Sequence, residues 1–373
     1  MDNKRPTWAE IDLTAIRNNL RCIKEALSPG TKIMASVKAN AYGHGVKEIS
    51  RVCLEEMVDF LAVATLDEAL ELRDEGIAAP VMVLGYVPGQ YADLIVRHNI
   101  RTAVYDASLA RELSKAARIQ GKTAHIHIKI DTGMGRIGFA PVSDTIKIIE
   151  NIAALPGIKV EGIFTHFTEA DRENDQFTRE QFKAFQDFIR ELEQRGIRIP
   201  LKHCSNSAAI FRYPETHLDM VRVGIILYGL YPSQFMKSMN LGILPAMTLK
   251  SRVSMVKNLS EGHGVSYGRT HICDRETRVA TLPIGYADGY SRNFSNRAWA
   301  MIKGQRANSL GVVCMDQSMF DISGREDIVE GDEAVLFGRE ADGITADDLA
   351  LAANTINYEI VCLVSSRVPR TYV

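Results

Sequence analysis

"KIMASVKANAYGHG", residues 32–45, is an apolar run of strand length that ends in a lysine. Small, polar and glycine residues follow Lys38 directly. A buried ammonium group is unfavourable unless it has a partner, a shifted pKa or a covalent bond. We therefore expect this run to be a buried strand that carries Lys38 to its carboxyl end for a chemical purpose.

Further short apolar runs repeat this pattern along the first 230 residues, and amphipathic stretches typical of helices lie between them. The further runs are 60–65, 81–85, 100–105, 125–130, 160–167, 202–205 and 220–224, and the amphipathic stretches include 46–57, 67–75, 107–120, 142–154 and 178–195. Eight strand–helix units in about 240 residues predict an α/β protein with an N-terminal (β/α)8 TIM-type barrel. An open, doubly wound sheet is the alternative.

The character of the chain changes after about residue 242. Apolar segments there are separated by Gly, Asp and Asn, which predicts short strands and turns. One helix is predicted to begin after Thr345, because Asp348 follows three residues later in a capping-box pattern. We therefore expect a barrel at 8–242 and a mainly β C-terminal domain at 243–373 that also includes residues 1–7.

The composition is that of a folded, water-soluble chain: of the 373 residues, 46% are hydrophobic and 24% are charged. The net charge of −2 gives no electrostatic basis for binding nucleic acid or an anionic membrane surface. The longest apolar stretch, 223–231, is too short to span a bilayer, and the polar first residues contain no secretory signal. Six scattered cysteines without a CxxC pair are typical of reduced thiols. We therefore expect a cytoplasmic protein.

Ionisable or hydrogen-bonding residues stand at five of the eight predicted barrel strands. They are Lys38 after the first, Lys129, Asp131 and Arg136 at the fifth, His166 at the sixth, Ser205, Asn206 and Ser207 after the seventh, and Arg222 and Gly224 in the eighth. The carboxyl ends of barrel strands form one rim, and active sites lie there. Five strands that deliver polar groups to one rim indicate a catalytic site.

The segments that follow the last two strands are suited to binding a phosphate. "NSAA" at 206–209 resembles the start of a helix, and "VGI" at 223–225 follows the eighth strand, so both offer backbone N–H groups. Paired with Lys38 opposite, they indicate a phosphorylated cofactor that bonds to lysine. Pyridoxal 5'-phosphate meets both requirements, because a lysine Schiff base anchors it and its phosphate needs such a cradle.

The segment "HIHIK", residues 125–129, places His125, His127 and Lys129 on one face of a strand. A His-x-His pair in a barrel can bind a metal ion. No cluster of acidic residues accompanies the pair, however, and it lies at the start of its strand, away from the rim. We therefore expect packed or solvent-facing histidines and no metal site.

Nine motifs, in order along the chain, resemble those of the alanine racemase family. They are "SVKANAYGHG", "KIDTGMGRIGF", "FTHFTEAD", "HCSNSAA", "MVRVGIILYGLYPS", "VSYGRT", "LPIGYADGY", "VCMDQSMFDI" and "INYEIVC". The resemblance runs from about residue 8 to 370. It implies a pyridoxal-phosphate isomerase of fold type III that interconverts L-alanine and D-alanine with two bases and supplies D-alanine for peptidoglycan in the bacterial cytoplasm. It further implies a homodimer whose active sites are shared between subunits.

The same resemblance implies roles for the matching residues. Lys38 holds the cofactor and serves as one base, and Tyr267 serves as the second base in the partner's site. Because an unperturbed phenol has a pKa of about 10, Tyr267 needs cations or hydrogen-bond donors nearby, which His166 and Arg222 supply. Arg222 also hydrogen-bonds the pyridine nitrogen of the cofactor.

The remaining roles implied by the resemblance concern binding and access. The residues that bind the phosphate are Tyr42, Ser207, Gly224, Ile225 and Tyr358, and Asn206 lies beside them. The substrate carboxylate is bound by Arg136 and Met315, and Lys129 is a position for carbamylation. Asp316 and Tyr286 shape the pocket and the path into it.

Four other functions compete with this interpretation. A racemase of the same kind with broader substrates would use the same machinery. A barrel decarboxylase is disfavoured by Arg222, because its relatives carry a glutamate at that place. A non-catalytic protein that carries the cofactor would lack the second domain and Tyr267. A metal-dependent hydrolase would depend on His125 and His127.

Overall fold

A computed structural model describes residues 5–373. The first strand, β1 (Thr7–Ile11), belongs to the sheet of the second half of the chain. The eight strands that follow are β2 (Lys32–Ser36), β3 (Phe60–Val63), β4 (Val81–Val83), β5 (Ile100–Val104), β6 (Ala124–Lys129), β7 (Ile158–Phe164), β8 (Leu201–His203) and β9 (Met220–Val223). They are parallel, in the order β8-β7-β6-β5-β4-β3-β2-β9. All eight predicted barrel strands are thus confirmed.

The barrel is closed where β8 and β9 meet. The backbone N–H of Asp219 donates to Lys202 O over 3.1 Å, and that of Arg222 donates to Ser205 O over 3.0 Å. Every residue of β3, β4 and β9 is buried, as expected for strands covered on one face by helices and on the other by the barrel interior. Closure brings the carboxyl ends of the strands into one ring, so residues from distant parts of the sequence become neighbours.

Helices connect the strands and cover the barrel. They are α1 (Leu13–Ala26), α2 (Lys38–Tyr42, a single turn that is left-handed), α3 (Val46–Glu55), α4 (Leu66–Asp74), α5 (Ala92–Arg97), α6 (Ala107–Gln120), α7 (Ser143–Ala153), α8 (Gln176–Gln194), α9 (Ser207–Arg212), α10 (Gln234–Ser238), α11 (Ala346–Ala353) and α12 (Asn357–Leu363). Short 3-10 turns occur at Gly89–Tyr91, Pro214–Thr216, Ile225–Tyr228, Tyr267–Arg269, Tyr286–Asp288, Arg292–Phe294 and Glu340–Asp342. The predicted capping box of Thr345 and Asp348 is confirmed at the start of α11. No helix within residues 5–373 has the length and apolar character needed to cross a membrane.

The second half of the chain forms a mainly β domain. Its strands are β10 (Met247–Arg252), β11 (Met255–Leu259), β12 (Gly264–Val265), β13 (His271–Ile272), β14 (Thr277–Leu282), β15 (Trp299–Ile302), β16 (Gln305–Leu310), β17 (Ser318–Asp321), β18 (Glu333–Phe337) and β19 (Arg370–Tyr372). Apart from the β12–β13 pair, they form one sheet in the order β11-β14-β17-β16-β15-β18-β10-β1-β19. Burial alternates along β1 and β10, because one face of this sheet packs and the other does not.

The first strand ties the two halves together. β1 pairs antiparallel with β10 and parallel with β19, so it lies inside the second sheet although the barrel follows it in the sequence. The predicted division at residue 8 falls within β1, and of residues 1–7 the first four lie outside the described part of the chain. The division into 8–242 and 243–373 remains a prediction.

Two glycines with left-handed backbone differ in how closely other atoms pack against them, and one of them, Gly229, lies where the chain passes from the barrel to the second domain. A Cβ on Gly229 (φ +78°) would lie 1.8 Å from Leu244 O, whereas a Cβ on Gly121 (φ +60°) would meet nothing within 4 Å. Gly121→Ala should therefore lower the free energy of unfolding by about 1–2 kcal/mol, the cost of the backbone conformation alone. Gly229→Ala should lower it by a further ~1–3 kcal/mol or more, because the backbone must shift. Urea denaturation of both variants measures this difference, and equal midpoints would contradict it.

Candidate active site

Lys38 stands at the end of β2, where the chain enters a left-handed turn. Ala39, Asn40, Ala41 and Tyr42 all have φ between +52° and +53°. Each left-handed residue with a side chain is strained by about 1–2 kcal/mol. Strain of this kind persists only where the surroundings enforce it, and it clusters at functional sites.

Hydrogen bonds and close packing enforce the turn. Glu68, which also caps α4, accepts from Ala39 N over 2.6 Å, and Asn40 Oδ1 accepts from Val46 N over 2.8 Å. A Cβ on Gly43 would lie 2.2 Å from Val361 O, and one on Gly45 would lie 1.9 Å from the Tyr372 hydroxyl. The turn is thus clamped between the barrel and the last helix and strand of the chain.

Lys38 lies in a site that holds several cations. Burial lowers the pKa of Lys38, and the positive charge of Arg136 lowers it further. Burial also lowers the pKa of Lys129, to about 7, and the charge of Arg222 adds to the effect. A cluster of positive side chains around a half-enclosed lysine favours the binding of anions.

Lys129 is deeply buried, with 2% of its surface exposed. Its Nζ donates to Ile130 O over 2.6 Å and lies 5.5 Å from the centre of the Phe164 ring. Asp131 is the nearby anion that opposes the fall in the pKa of Lys129. With a pKa of about 7, this amine is largely neutral just above neutral pH.

Arg222 is buried and held by five contacts. Its Nη2 donates to Thr165 O over 2.7 Å and to Cys204 O over 3.1 Å, and its Nη1 donates to His203 O over 3.1 Å. The Nδ1 atoms of His203 and His166 lie 3.0 and 3.2 Å from the guanidinium. Burial and then the charge of Arg222 hold the pKa of His166 well below its usual value, so this imidazole is neutral at neutral pH.

Tyr42, Ser207 and Gly224 converge to form a polar cradle. Gly224 N donates to Ser207 Oγ over 2.9 Å. A Cβ on Gly224 would lie 3.2 Å from the Tyr42 hydroxyl and 3.4 Å from Ser207 Oγ, so a side chain here would fill the cradle. The ring of Tyr358 lies 6.3 Å from that of Tyr42. Two hydroxyl groups beside a glycine backbone are suited to surround a phosphate group.

Residues near the cradle support its shape. Asn206 caps α9, since its Oδ1 accepts from Ala209 N over 3.1 Å. Ile225 is buried and opens the 3-10 turn that follows Gly224. Both belong to the set that the resemblance implied for the phosphate.

The predicted residues of the second domain form a separate, exposed group. Tyr267 is 70% exposed, and Met315 and Tyr286 are 52% and 39% exposed. Tyr286 N donates to Cys314 O over 3.0 Å, so Tyr286 lies beside the Met315 loop, and Asp316 in that loop accepts from Arg367 over 2.7 Å. Among residues 5–373, the hydrogen bonds of segment 264–272 lead only to residues of the second domain. An exposed phenol beside an exposed loop is the kind of surface expected to meet another molecule.

The backbone fixes Tyr267 through its neighbour. Ser266 has φ +65° and ψ −172°, a conformation that is almost restricted to glycine. Its hydroxyl donates to Val312 O over 2.6 Å, and its Oγ lies 3.3 Å from Cys314 Sγ. Tyr267 and the Met315 loop are therefore held in one arrangement.

Several residues that shape the site were not predicted. Glu68 and Ser266 hold the segments of Lys38 and Tyr267, and His203 contacts Arg222 directly. His203 lies inside the quoted motif "HCSNSAA", but nothing in the sequence indicates that its ring points at Arg222. Glu68 could have been found from the capping-box spacing to Thr65, although its second role could not.

Comparison with known families and structures gives a consistent picture over the whole chain. The protein-family model described as "Alanine racemase, N-terminal domain" matches residues 11–232, and the family model described as "Alanine racemase, C-terminal domain" matches residues 246–372. An alanine racemase of Clostridium perfringens is 51% identical over 370 residues, which is 99% of this chain and 95% of the relative.

Solved structures are similar as well. An alanine racemase of Clostridium difficile 630 has 41% identity and a TM-score of 0.96, and the match covers 100% of this chain and 97% of that chain. A histidine racemase from Leuconostoc mesenteroides has 32% identity and a TM-score of 0.90, and the match covers 99% of this chain and 98% of that one.

The low pKa of Lys129 makes stability depend on pH with a definite sign. Above about pH 7 the amine of Lys129 in the folded protein has lost its proton, whereas a lysine in the unfolded chain keeps its proton until the pH nears its ordinary pKa of 10.5. The unfolded state then binds one more proton, so the free energy of unfolding rises with pH by up to ~1.4 kcal/mol per unit. Lys129→Met should remove this slope between about pH 7 and 8.5.

Urea denaturation of the cofactor-free protein at both pH values, in buffer depleted of carbon dioxide, measures the slope. Lys38 contributes a slope of the same sign, but it is present in both proteins, so the difference isolates Lys129. Parallel curves for wild type and variant would contradict the assignment.

Proposed function

The chain belongs to the alanine racemase family, and from this premise we propose that it interconverts L-alanine and D-alanine with pyridoxal 5'-phosphate and two bases on opposite faces of Cα. The enzyme is an amino-acid racemase, as its relatives are named. The observation that carries the proposal is the cation cluster of Lys38, Lys129, Arg136 and Arg222 next to a hydroxyl-lined cradle. Such a site is suited to a ligand with a phosphate and to a substrate with a carboxylate.

The residues of the site fit pyridoxal phosphate. Lys38 would bond to its aldehyde carbon, Tyr42, Ser207, Gly224, Ile225 and Tyr358 would surround its phosphate beside Asn206, and Arg222 would donate to its pyridine nitrogen. When bound, the cofactor supplies an electron sink for the pair left when the Cα–H bond of alanine breaks. Because a guanidinium donates and cannot accept, Arg222 would leave that nitrogen unprotonated.

Lys38 is suited to serve as the base on one face. Burial and the charge of Arg136 lower the pKa of its amine, so more of the free amine is neutral and able to accept a proton near neutral pH. The left-handed turn gives Lys38 a fixed origin, since Glu68 and the last helix hold the backbone on both sides. A base with a fixed origin reaches one face of the substrate only.

Tyr267 would serve as the base on the other face, from the partner subunit of a homodimer. Its exposure and the fixed backbone of its neighbour Ser266 support a role at a subunit interface. A phenol ionises with difficulty, so it needs a positive environment when it gives up its proton. The cations at the rim of the partner's barrel would provide that environment. Among them is Arg222, which contacts the neutral His166.

Arg136 and the backbone N–H of Met315 would bind the substrate carboxylate, the latter from the partner subunit. Lys129 would support Arg136 if carbon dioxide converts its amine to a carbamate, which changes a cation into an anion. The neutral amine is the form that reacts with carbon dioxide, and a pKa of about 7 for Lys129 makes that form available near neutral pH. Asp316 in the Met315 loop and Tyr286 beside that loop would shape the path into the site.

The setting of the reaction follows the same proposal. D-Alanine made in the cytoplasm would supply peptidoglycan synthesis. A dimer with shared sites accounts for the exposed face formed by Tyr267, Tyr286 and Met315.

A racemase with a broader or different amino acid substrate is the second candidate. The similarity to a histidine racemase supports it, because that protein keeps the whole fold at 32% identity. Assays with serine and histidine beside alanine distinguish the two candidates. Turnover of either at the rate of alanine would favour the broader function.

Deuterium exchange tests the two bases. Wild-type enzyme in deuterated water should convert L-alanine to a mixture of both enantiomers with deuterium at Cα. Tyr267→Phe should lower racemisation by about 10²–10⁴-fold but keep Cα exchange for one enantiomer, because one base remains. Lys38→Ala should lose racemisation and the covalently bound cofactor, which the visible absorbance reports.

Tyr286→Phe is the matched control, since it removes a phenol from the same exposed face that would shape the path and exchange no proton. Any slowing should therefore be equal for both enantiomers, and exchange with both should persist. Equal losses of exchange for both enantiomers in Tyr267→Phe would contradict a two-base mechanism. Binding of pyridoxal phosphate without exchange of any amino acid would instead favour a cofactor carrier.

A further inference from the structure

A row of hydrogen-bonded side chains runs through the barrel interior from Glu161 to Arg222. Nε2 of His127 lies 3.3 Å from Glu161 Oε2, and its Nδ1 lies 2.9 Å from His203 Nε2. His203 Nδ1 then lies 3.0 Å from Arg222 Nη1. Both histidines are fully buried, so water does not compete for these bonds. The "HIHIK" segment thus has an acidic partner, which the sequence did not reveal, and His127 is packed as predicted.

The barrel builds this row with an irregularity in β7. Ile126 faces Val160 and His127 faces Gly162, so Glu161 is an extra residue that no residue of β6 opposes. A bulge of this type turns a side chain out of its regular direction. A Cβ on Gly162 would lie 2.3 Å from His127 Nδ1. Glycine at 162 therefore leaves the space that the ring of His127 occupies.

The ring of His127 lies inside the barrel. Its centroid is 6.3 Å from that of Phe60 in β3, which is not a neighbour of β6 in the sheet. The ring of His203 stacks on Phe164 at 4.9 Å with an angle of 3° between the planes. This aromatic contact thus fixes the plane of the His203 ring.

The two ends of the row fix its direction. A guanidinium only donates, so Nδ1 of His203 must accept from Arg222 and its proton must lie on Nε2. That proton is donated to Nδ1 of His127, so His127 also carries its proton on Nε2 and donates it to Glu161. A carboxylate only accepts, so the order from Arg222 to Glu161 is consistent at every step.

Glu161 is held as a carboxylate at the far end. Arg101 Nε lies 3.0 Å from its Oε2, and His125 Nδ1 lies 3.2 Å from its Oε1. Burial would raise the pKa of Glu161, but hydrogen bonds from His127 and Arg101 outweigh it and lower the pKa to about 2. Burial and then the charge of Arg222 hold the pKa of His203 well below its usual value, so this ring is neutral.

We propose that Glu161, His127 and His203 are positioning residues that hold Arg222 in place by fixing which nitrogen of each histidine carries the proton. The opposite tautomer of His203 would point an N–H at the guanidinium and push Arg222 from its place. The role of Arg222 at the pyridine nitrogen rests on the proposed function, whereas the direction of the row rests on the geometry alone.

Three variants separate this role from simple packing. Glu161→Gln keeps the size of the side chain but replaces an obligatory acceptor by an amide that can also donate. His203→Phe keeps the ring against Phe164 and breaks the row in the middle. His125→Gln is the matched control, because it removes a histidine from the same strand face and the same carboxylate but lies outside the row.

Nitrogen-15 spectra of histidine-labelled apoprotein read the tautomers without any cofactor. Wild type should show His127 and His203 with the proton on Nε2, and the signal lost in His203→Phe identifies that residue. Glu161→Gln should shift His203 toward the Nδ1–H form, and His125→Gln should not. A proton on Nδ1 of His203 in wild-type protein would overturn the inference, whatever the activity is.

Binding of pyridoxal phosphate to the apoprotein gives the second measurement. Glu161→Gln and His203→Phe should weaken binding by about 10–100-fold, as outer partners of a binding residue do at metal sites, and His125→Gln should bind as wild type does. Wild-type affinity in both variants, or an equal loss in the control, would overturn the inference. If wild-type protein binds no pyridoxal phosphate, the proposed function fails, and the tautomer measurement still decides the direction of the row.

Discussion

A guanidinium buried in the mouth of the barrel is the constraint on which the site depends. Removing such an ion from water costs several kcal/mol unless hydrogen bonds replace the lost solvent. Arg222 has no salt bridge among residues 5–373, and carbonyl groups of Thr165, His203 and Cys204 serve instead. These carbonyls come from the carboxyl ends of two neighbouring strands and the loops after them, so closure of the barrel creates the binding place for Arg222. The positive charge remains uncompensated at the rim, where it lowers the pKa of Lys129 and His166.

Strained backbone is found on both segments that carry the proposed bases. Lys38 is followed by a left-handed turn, and Tyr267 is preceded by Ser266 in a conformation suited to glycine. Side chains that take no part in the proposed reaction hold both segments. Glu68 holds the segment of Lys38, and the hydroxyl of Ser266 holds the segment of Tyr267. Two bases that act on opposite faces must each be prevented from reaching the other face, and rigid origins serve that need.

The sequence predicts the barrel and its rim because both follow from local patterns. Apolar runs mark the strands, and Lys38, His166 and Arg222 stand at or near their ends. The left-handed turn is invisible, since none of residues 39–42 is a glycine that would signal it. The sequence does not predict the role of Glu161, because a bulge in β7 turns its side chain toward His127 in β6. The glycine that follows, Gly162, is the one sign of that bulge in the sequence. Tyr267 is identified by resemblance alone, because neither burial nor spacing distinguishes an exposed phenol before it meets a partner.

The position of β1 has a consequence for synthesis of the chain. Thr7–Ile11 finds its neighbours only when β10 and β19 exist, so the first strand stays unpaired while the whole barrel is made. At ribosomal rates that interval is on the order of tens of seconds. The same delay applies to the turn of Lys38, whose packing against Val361 and Tyr372 requires the last residues of the chain. A ribosome-bound barrel can therefore have all eight of its strands while the segment of Lys38 still lacks its contacts with Val361 and Tyr372.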